Sequence, residues 1–293
     1  MERMPDIESI EAGFKEQHYI IDRELATIVF LMSQLERPLL VEGPAGVGKT
    51  ELAQALADTL GTQLIRLQCY EGLDVNAAVY EWNYQKQLLA IKIQEQSTKS
   101  EEEKERHIFS KDFLLERPLL QSISCKDRSP VLLIDEIDRS DEEFEAFLLE
   151  VLSVYQITVP ELGTIKAKHK PLVVLTSNRT RELSDALKRR CLYYWLDYPT
   201  PEKELAVIKE RLPQVGEELS KQVVQFVQSL REMHLNKTPG VAETLDWAVS
   251  LLTIGKDHLD QQAVKQTLGC LLKSTDDIEK VLQSEMFTAG LSA

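Results

Sequence analysis

Several features that mark other classes of protein are missing from this sequence of 293 residues. No apolar stretch approaches the roughly 20 residues that a membrane-spanning helix needs. The segment from Met1 to Glu11 carries acidic side chains and lacks the apolar core of a signal peptide, so we expect neither a leader nor an anchor. These absences predict a protein of the cytoplasm.

Paired cysteines and an excess of basic side chains are also missing. The four cysteines lie far apart and form no C-x-x-C pair, which argues against a zinc site and, in a reducing compartment, against a disulfide framework. Acidic residues outnumber basic ones by 48 to 34, for a net charge of -14. Because binding a nucleic-acid backbone needs clustered lysine and arginine, this balance disfavours nucleic acid as a partner.

What is present is the composition of a globular protein with a sizeable core, with 43% hydrophobic and 28% charged residues. From Arg37 to Thr200, short apolar runs alternate with stretches of helical period, which predicts a parallel sheet with crossover helices. Four runs are almost wholly apolar, as in strands covered on both faces: Pro38–Val41, Gln63–Leu67, Val131–Ile134 and Leu172–Leu175. Gln156–Val159 and Thr164–Ala167 flank Pro160–Gly163, which predicts a β-hairpin with a four-residue loop.

The remaining stretches divide the chain. Residues 95–106 contain eight charged residues in twelve, which predicts a solvated helix or a mobile loop. An amphipathic helix is predicted over 141–153, with Ser140 and Glu143 as its capping box. Beyond Pro199 the pattern is helical, with helices expected near 202–211, 217–234, 241–254, 260–272 and 276–286. We therefore predict an α/β domain over 1–199 and a helical domain over 200–293.

A glycine-rich phosphate loop is the clearest motif in the chain. Gly43-Pro44-Ala45-Gly46-Val47-Gly48-Lys49-Thr50 matches G-x-x-x-x-G-K-[ST] and lies between a predicted strand and a predicted helix. In this motif the glycines let backbone N–H groups and the helix N-terminus face an anion. Lys49 would span the β and γ phosphates of a nucleotide, and the Thr50 hydroxyl would reach magnesium.

Polar side chains end the two buried strands that follow. Asp135 and Glu136 close the strand from Val131, where Asp135 would hold the magnesium shell and Glu136 would activate water as a general base. Asn178 ends the next strand, either to contact the attacking water or the γ phosphate, or simply to form a turn. Downstream, Arg189 and Arg190 either complement a helix dipole or supply an arginine to a neighbouring subunit's nucleotide.

Taken in chain order, these elements resemble the AAA+ ATPases. Five further stretches resemble the MoxR family, in the branch associated with carbon monoxide dehydrogenase maturation: Cys69–Asp74, Phe113–Leu120, Asp135–Arg139, Thr176–Leu183 and Val241–Trp247. The resemblance implies that Gly43 to Glu51 is Walker A, that Asp135 and Glu136 are Walker B, and that Asn178 is sensor 1. It makes Arg190 the arginine finger, with Arg189 as the alternative.

The resemblance also implies a fold and a biology. The fold is an α/β P-loop NTPase with a parallel-sheet core, a helix-2 insertion at about 80–123, a pre-sensor-1 hairpin at about 155–168, and an all-helical lid. The activity is ATP hydrolysis with Mg2+ by a ring, typically a hexamer, working as a chaperone with a von Willebrand factor A protein on a client such as a metalloenzyme. Thr238–Glu243 lacks the sensor 2 arginine that many AAA+ proteins carry at the start of a lid helix.

Three other functions stay open at this point. A small-molecule kinase also uses a phosphate loop with magnesium, although the two acids followed by Asn178 fit water activation better. A DNA-directed AAA+ machine would need a basic face, for which only local loops such as Lys166–Lys170 are available. A nucleotide-gated interaction module with negligible turnover would bind ATP without depending on Glu136.

Overall fold

The computed structural model describes residues 5–94, 100–284 and 287 of the chain. These residues form two compact units. The first, which we call the sheet unit, contains the described residues of 1–13, 23–42 and 53–194. The second, the helical unit, contains 14–22, 43–52 and the described residues from 195 onward.

The first two thirds of the chain alternate between strands and helices. The strands are β1 (Leu39–Glu42), β2 (Leu64–Gln68), β3 (Tyr80–Trp82), β4 (Leu114–Glu116), β5 (Val131–Asp135), β6 (Gln156–Val159), β7 (Gly163–Lys166), β8 (Leu172–Ser177) and β9 (Leu192–Trp195). The helices are α1 (Ile7–Glu16), α2 (Arg23–Leu35), α3 (Lys49–Thr59), α4 (Val75–Val79), α5 (Tyr84–Gln94), α6 (Glu101–Ile108), α7 (Pro118–Ser124), α8 (Glu142–Val154) and α9 (Asp185–Arg190). Short 3-10 turns lie at Lys111–Phe113 and Ile137–Arg139.

The main sheet has the strand order β2-β5-β8-β1-β9, and its β2–β5, β5–β8 and β8–β1 pairs are parallel. Strands β1, β5 and β8 are buried along their whole length, whereas β2 alternates because it lies at an edge. The predicted parallel α/β core is therefore confirmed. Its carboxyl edge carries Glu42, Asp135 and Ser177 at the ends of β1, β5 and β8.

Two local predictions around α8 were wrong. The hairpin of β6 and β7 is present, but Val159 pairs with Gly163, so the loop has three residues and not four. Gly163 has a φ of 79°, which a glycine adopts without steric cost, and this lets the chain re-enter the strand one residue early. The cap of α8 is Asp141, whose side chain accepts a hydrogen bond from the Phe144 N–H. Ser140 instead donates to the Ile137 carbonyl at the end of the preceding 3-10 turn.

The insertion contains α5, α6 and the antiparallel pair β3–β4. Of the charged stretch 95–106, residues 95–99 lie outside the described residues, and 101–106 belong to α6. This helix begins with a capping box of Ser100 and Glu103, and no side chain in it is buried. A solvated helix, not a loop, is therefore the form taken by the described part of that stretch.

The helical unit follows the periodicity of the sequence closely. Its long helices are α10 (Pro201–Arg211), α11 (Glu217–Glu232), α12 (Val241–Thr253), α13 (Gln261–Leu271) and α14 (Thr275–Leu282). Their apolar faces enclose one core around the fully buried Trp247. Of the last predicted helix, 276–286, residues 285 and 286 lie outside the described residues. Within the described ranges no helix has the length and apolarity to cross a membrane.

Candidate active site

The phosphate loop follows β1 directly in the chain and leads into α3. Gly46 and Gly48 have φ values of 76° and 99°, in the left-handed region that glycine adopts without steric cost. Lys49, the first residue of α3, is 6% exposed, and its Nζ donates to the carbonyls of Gly43 (2.7 Å) and Pro44 (2.6 Å). The ammonium group thus lies over the start of the loop, as a phosphate-binding lysine requires.

The loop residues after Lys49 lie on the first turn of α3. Thr50 is the second residue of that helix, and Glu51 forms an ion pair with Arg211 of α10. Pro44, Ala45 and Val47 complete the predicted loop. The loop is also in contact with the beginning of α12, because the Ala242 N–H donates to the Gly46 carbonyl at 3.2 Å.

Asp135 ends β5 and is held by groups from both neighbouring strands. Thr176 of β8 donates its hydroxyl proton to Asp135 Oδ1 at 2.5 Å and accepts a hydrogen bond from the Glu136 N–H at 3.0 Å. Arg66 of β2 donates to Asp135 Oδ2 through Nε (3.0 Å) and Nη2 (2.5 Å). The side chain of Asp135 is 4% exposed, so this carboxylate has one orientation.

Glu136 is turned toward three polar side chains. Its backbone adopts a left-handed conformation with a φ of 55°, which is uncommon for a residue with a side chain and typical of functional sites. Glu136 Oε2 accepts from Gln68 Nε2 (3.0 Å) and Arg139 Nη1 (3.1 Å), and Oε1 accepts from Asn178 Nδ2 (3.4 Å). The structure therefore brings the predicted pair Glu136 and Asn178 into contact.

Asp138 fixes the loop that carries Asn178. Its buried Oδ2 accepts hydrogen bonds from the Asn178 N–H (3.2 Å), the Thr180 N–H (2.8 Å) and the Thr180 hydroxyl (2.7 Å). A carboxylate that accepts from two backbone N–H groups of one loop restricts its backbone. The side chain of Asn178 is thereby presented from a rigid support.

The Cys69 thiol lies beside these carboxylates and responds to their charge. Burial, together with the negative charges of Asp135, Asp138 and Glu136, raises the pKa of Cys69 to about 12. The carboxylates of Asp135, Asp138 and Glu136 thus lie close enough to this buried thiol to act on its charge state.

The residues expected to hold magnesium have suitable donors. Thr50 offers a hydroxyl and Asp135 a carboxylate, and oxygen ligands are those that Mg2+ prefers. In the part of the chain that the structure describes, no three His, Cys, Asp or Glu side chains are grouped as a metal cage. Mg2+ commonly binds through one or two protein oxygens, waters and the phosphates of a substrate.

The predicted arginine finger lies at the end of α9. Arg189 and Arg190 are both exposed, and neither side chain makes a hydrogen bond or ion pair with a described residue. Their backbone is held by Arg37, whose guanidinium donates to the carbonyls of Arg189 (2.7 Å), Arg190 (3.2 Å) and Cys191 (3.2 Å). Both arginines stay candidates for the finger.

Sequence reasoning missed the residues that support the acids. Arg66 and Gln68 belong to one face of β2, and the register pairs Gln68 with Asp135. Their signal is the alternation Ile65, Arg66, Leu67, Gln68, in which two polar residues share a face of a strand next to β5. Arg37 carried no comparable signal, because its partners are carbonyls more than 150 residues away.

Comparisons with known proteins agree with this architecture. The family model of the AAA domain (dynein-related subfamily) matches residues 38–191, more than half of the chain. An uncharacterized protein of Staphylococcus epidermidis is 28% identical over 206 residues, which cover 68% of this chain and 70% of the relative. One of Staphylococcus haemolyticus is 26% identical over 225 residues, covering 75% and 78%.

A solved structure shares the fold. The P216G mutant of RuvB from Thermotoga maritima superposes with a TM-score of 0.51 at 18% identity, over 96% of this chain and 77% of that one. Identity this low bears on the fold alone. The family match, the parallel sheet and the phosphate loop after its first strand lead to one conclusion: the chain belongs to the AAA domain family, in the dynein-related subfamily.

Proposed function

We propose that this protein binds ATP with Mg2+ and hydrolyses it to ADP and phosphate. The observation that carries the proposal is the hydrogen-bonded chain from the Glu136 N–H through Thr176 to Asp135, together with the Asn178 amide on the Glu136 carboxylate. Two adjacent acids held in different orientations suit two different tasks.

Each residue has a role in the proposed reaction. The loop from Gly43 to Glu51 binds the phosphates, with Lys49 over the β and γ groups. Thr50 and Asp135 hold Mg2+, which neutralises phosphate charge when bound. Glu136 accepts a proton from water as the water oxygen attacks the γ phosphorus, and the bond to the β-γ bridging oxygen breaks. Asn178 orients Glu136 and the water.

We further propose that the protein works as a MoxR-type hexameric ring, in which Arg190 or Arg189 reaches a neighbour's nucleotide. Support comes from the exposure of both arginines and from the resemblance of Thr176–Leu183 and the other MoxR-like stretches. A von Willebrand factor A protein and a client such as a metalloenzyme are the proposed partners, and the cytoplasm is the proposed place of action.

The insertion supports a role in contacting a client. On α5 the residue turned inward is Gln87, whereas Leu88, Leu89 and Ile93 are 60%, 60% and 69% exposed. Apolar side chains exposed on a helix whose buried position is polar are typical of a binding surface.

The test is the ATPase rate per subunit against protein concentration, with native mass analysis of the assembly. For the wild type we expect a cooperative rise with assembly. Arg190→Ala or Arg189→Ala should abolish the rise while ATP still binds, and Arg106→Ala, an exposed arginine of α6, is the matched control. A rate that does not depend on assembly would overturn the ring.

Glu136→Gln separates hydrolysis from a nucleotide-gated switch. We expect turnover to fall at least about a hundredfold with ATP affinity retained, because a general base and its alignment are lost together. Wild-type turnover that is already negligible and unchanged in the variant would favour the switch. Phosphate on an added acceptor would favour the kinase, and a salt-dependent DNA shift would favour a DNA-directed machine.

A further inference from the structure

The beginning of α12 places a carboxylate against the phosphate loop within the helical unit. A Cβ built on Gly46 would lie 2.7 Å from Glu243 Oε2 and 3.2 Å from the Gly240 α-carbon. The Glu243 carboxylate thus fills the space that a side chain at position 46 would need. The Ala242 N–H hydrogen bond to the Gly46 carbonyl holds the same turn on the loop.

The Glu243 carboxylate has no positively charged side chain as an ion-pair partner among the described residues. The carboxylate accepts a hydrogen bond from the Gly240 N–H at 3.0 Å, at the start of α12. The charge of Glu243 also acts on Tyr198. Burial is the largest cause of the raised pKa of Tyr198, and Glu243 raises it further.

A carboxylate at this place works against the loop's own chemistry. The loop directs backbone N–H groups toward an anion, and the first turn of α12 adds the positive end of a helix dipole. Glu243 supplies a negative charge to both. Incoming phosphates must therefore approach a site that already carries an anion of its own.

We propose that Glu243 competes with the nucleotide phosphates for the phosphate loop. Its negative charge repels the phosphates and lowers the affinity for nucleotide, and it lowers the affinity for ATP more than that for ADP. The proposal rests on the proposed function, because it concerns the same phosphate loop. Since the repulsion grows with the charge of the phosphate chain, the penalty increases from AMP to ADP to ATP. Release of Glu243 from Gly46 then accompanies triphosphate binding.

The test compares Glu243→Gln with Glu243→Asp. The glutamine keeps the length of the side chain and an oxygen for the Gly240 N–H but removes the charge, whereas the aspartate keeps the charge. Affinities for ATP, ADP and AMP are measured by isothermal titration, with Glu136→Gln present in every protein so that ATP is not consumed. Glu218→Gln is the control, since it removes a charge from the first turn of α11, where Glu218 accepts a hydrogen bond from Gln222 of the same helix.

We expect Glu243→Gln to tighten ATP binding on the order of tenfold and ADP binding less, and to leave AMP nearly unchanged. The ATP effect should shrink as salt is raised from about 20 mM to about 500 mM, because screening weakens repulsion between charges. Glu243→Asp and Glu218→Gln should bind ATP within about threefold of the parent. A merely structural cap would give no dependence on phosphate number or salt.

The opposing outcomes are distinct. Equal ATP affinity in Glu243→Gln and the parent, or equal tightening by the glutamine and aspartate variants, overturns this inference alone. Failure of every protein to bind ATP overturns the proposed function as well. A circular dichroism melt of each variant accompanies the titrations, and Glu243→Ala, which removes the same charge, carries the test if the glutamine variant does not fold.

Discussion

The buried ion pair of Glu204 and Arg231 is the interaction whose loss should cost the helical unit most. Glu204 of α10 is completely buried, and the Arg231 side chain of α11 is 7% exposed. The guanidinium donates to both Glu204 oxygens at 2.7 Å and, through Nε, to the Pro239 carbonyl at 3.0 Å. Glu204 also accepts from Gln228 and Thr244, both at 2.8 Å.

The expected magnitude follows from this inventory. Arg231→Met removes all four hydrogen bonds of the guanidinium, two of them to Glu204, and leaves Glu204 with two of its four. Removing one partner of a buried ion pair typically lowers the free energy of unfolding by about 3–5 kcal/mol, because the other charge stays buried without its counter-charge. We therefore expect the free energy of unfolding of the helical unit to fall by about that amount. Replacing both residues, as Glu204→Leu with Arg231→Met, should recover part of it.

The assay must report on the helical unit alone. Trp247 is fully buried in its core, next to Phe226, so its fluorescence reports on α11 and α12. With Trp82→Phe and Trp195→Phe as the common background, urea unfolding followed at Trp247 gives the free energy for each variant. Circular dichroism follows the whole chain in parallel, since two units need not unfold in one transition.

The control is Lys265→Met, which removes an exposed charge from α13; the Lys265 side chain forms no hydrogen bond or ion pair with the described residues. It should change the free energy of unfolding by less than about 0.5 kcal/mol. The reasoning is refuted if Arg231→Met costs less than about 1 kcal/mol, or if the double replacement is as unstable as the single one.

Two further predictions concern the sheet unit. Thr176→Val should lower ATP turnover about 10- to 100-fold with little change in ATP affinity. The reason is the lost hydrogen bond to Asp135, since hydrogen bonds to charged groups contribute about 1.5–3 kcal/mol each. Equal turnover of the variant and the wild type in a steady-state assay would contradict this. Burial raises the pKa of Cys69 and Cys191 from an ordinary value near 9 to about 12. At pH 9 iodoacetamide should therefore label Cys270 well before either, as read by mass spectrometry. Since these two thiols stay neutral in the fold while those of the unfolded chain ionise, the free energy of unfolding should fall as pH rises from about 9 toward 12; an unchanged value would be the contrary result.

Local patterns in the sequence determined much of this protein. Four apolar runs predicted the four parallel strands of the sheet, because strands covered on both faces have few polar residues. The helices of the helical unit followed from apolar residues at helical spacing, within about two residues at each end except the last. There α14 ends at Leu282, whereas the prediction ran to 286. The phosphate loop and the acids after β5 were visible because each is a contiguous motif.

Cap and turn positions were less determined by local pattern. Ser140 and Asp141 are both residues that can cap a helix. Asp141 is the cap of α8 because the Ser140 hydroxyl donates to the preceding 3-10 turn instead. The hairpin loop shortened because Gly163 tolerates a positive φ within the first pair of β7. In both places two local solutions are close in energy, and the surrounding chain selects one.

Only the tertiary structure decided which side chains support the site. Arg66 and Asp135 are 69 residues apart, and Thr176 and Asp135 are 41 apart, yet each pair is hydrogen-bonded because β2, β5 and β8 are neighbours in the sheet. Glu243 lies next to Gly46 for the same reason, because α12 packs on the phosphate loop. The spacing of residues along one segment encodes its helices and strands, whereas the order of strands and the packing of helices set which distant charges meet.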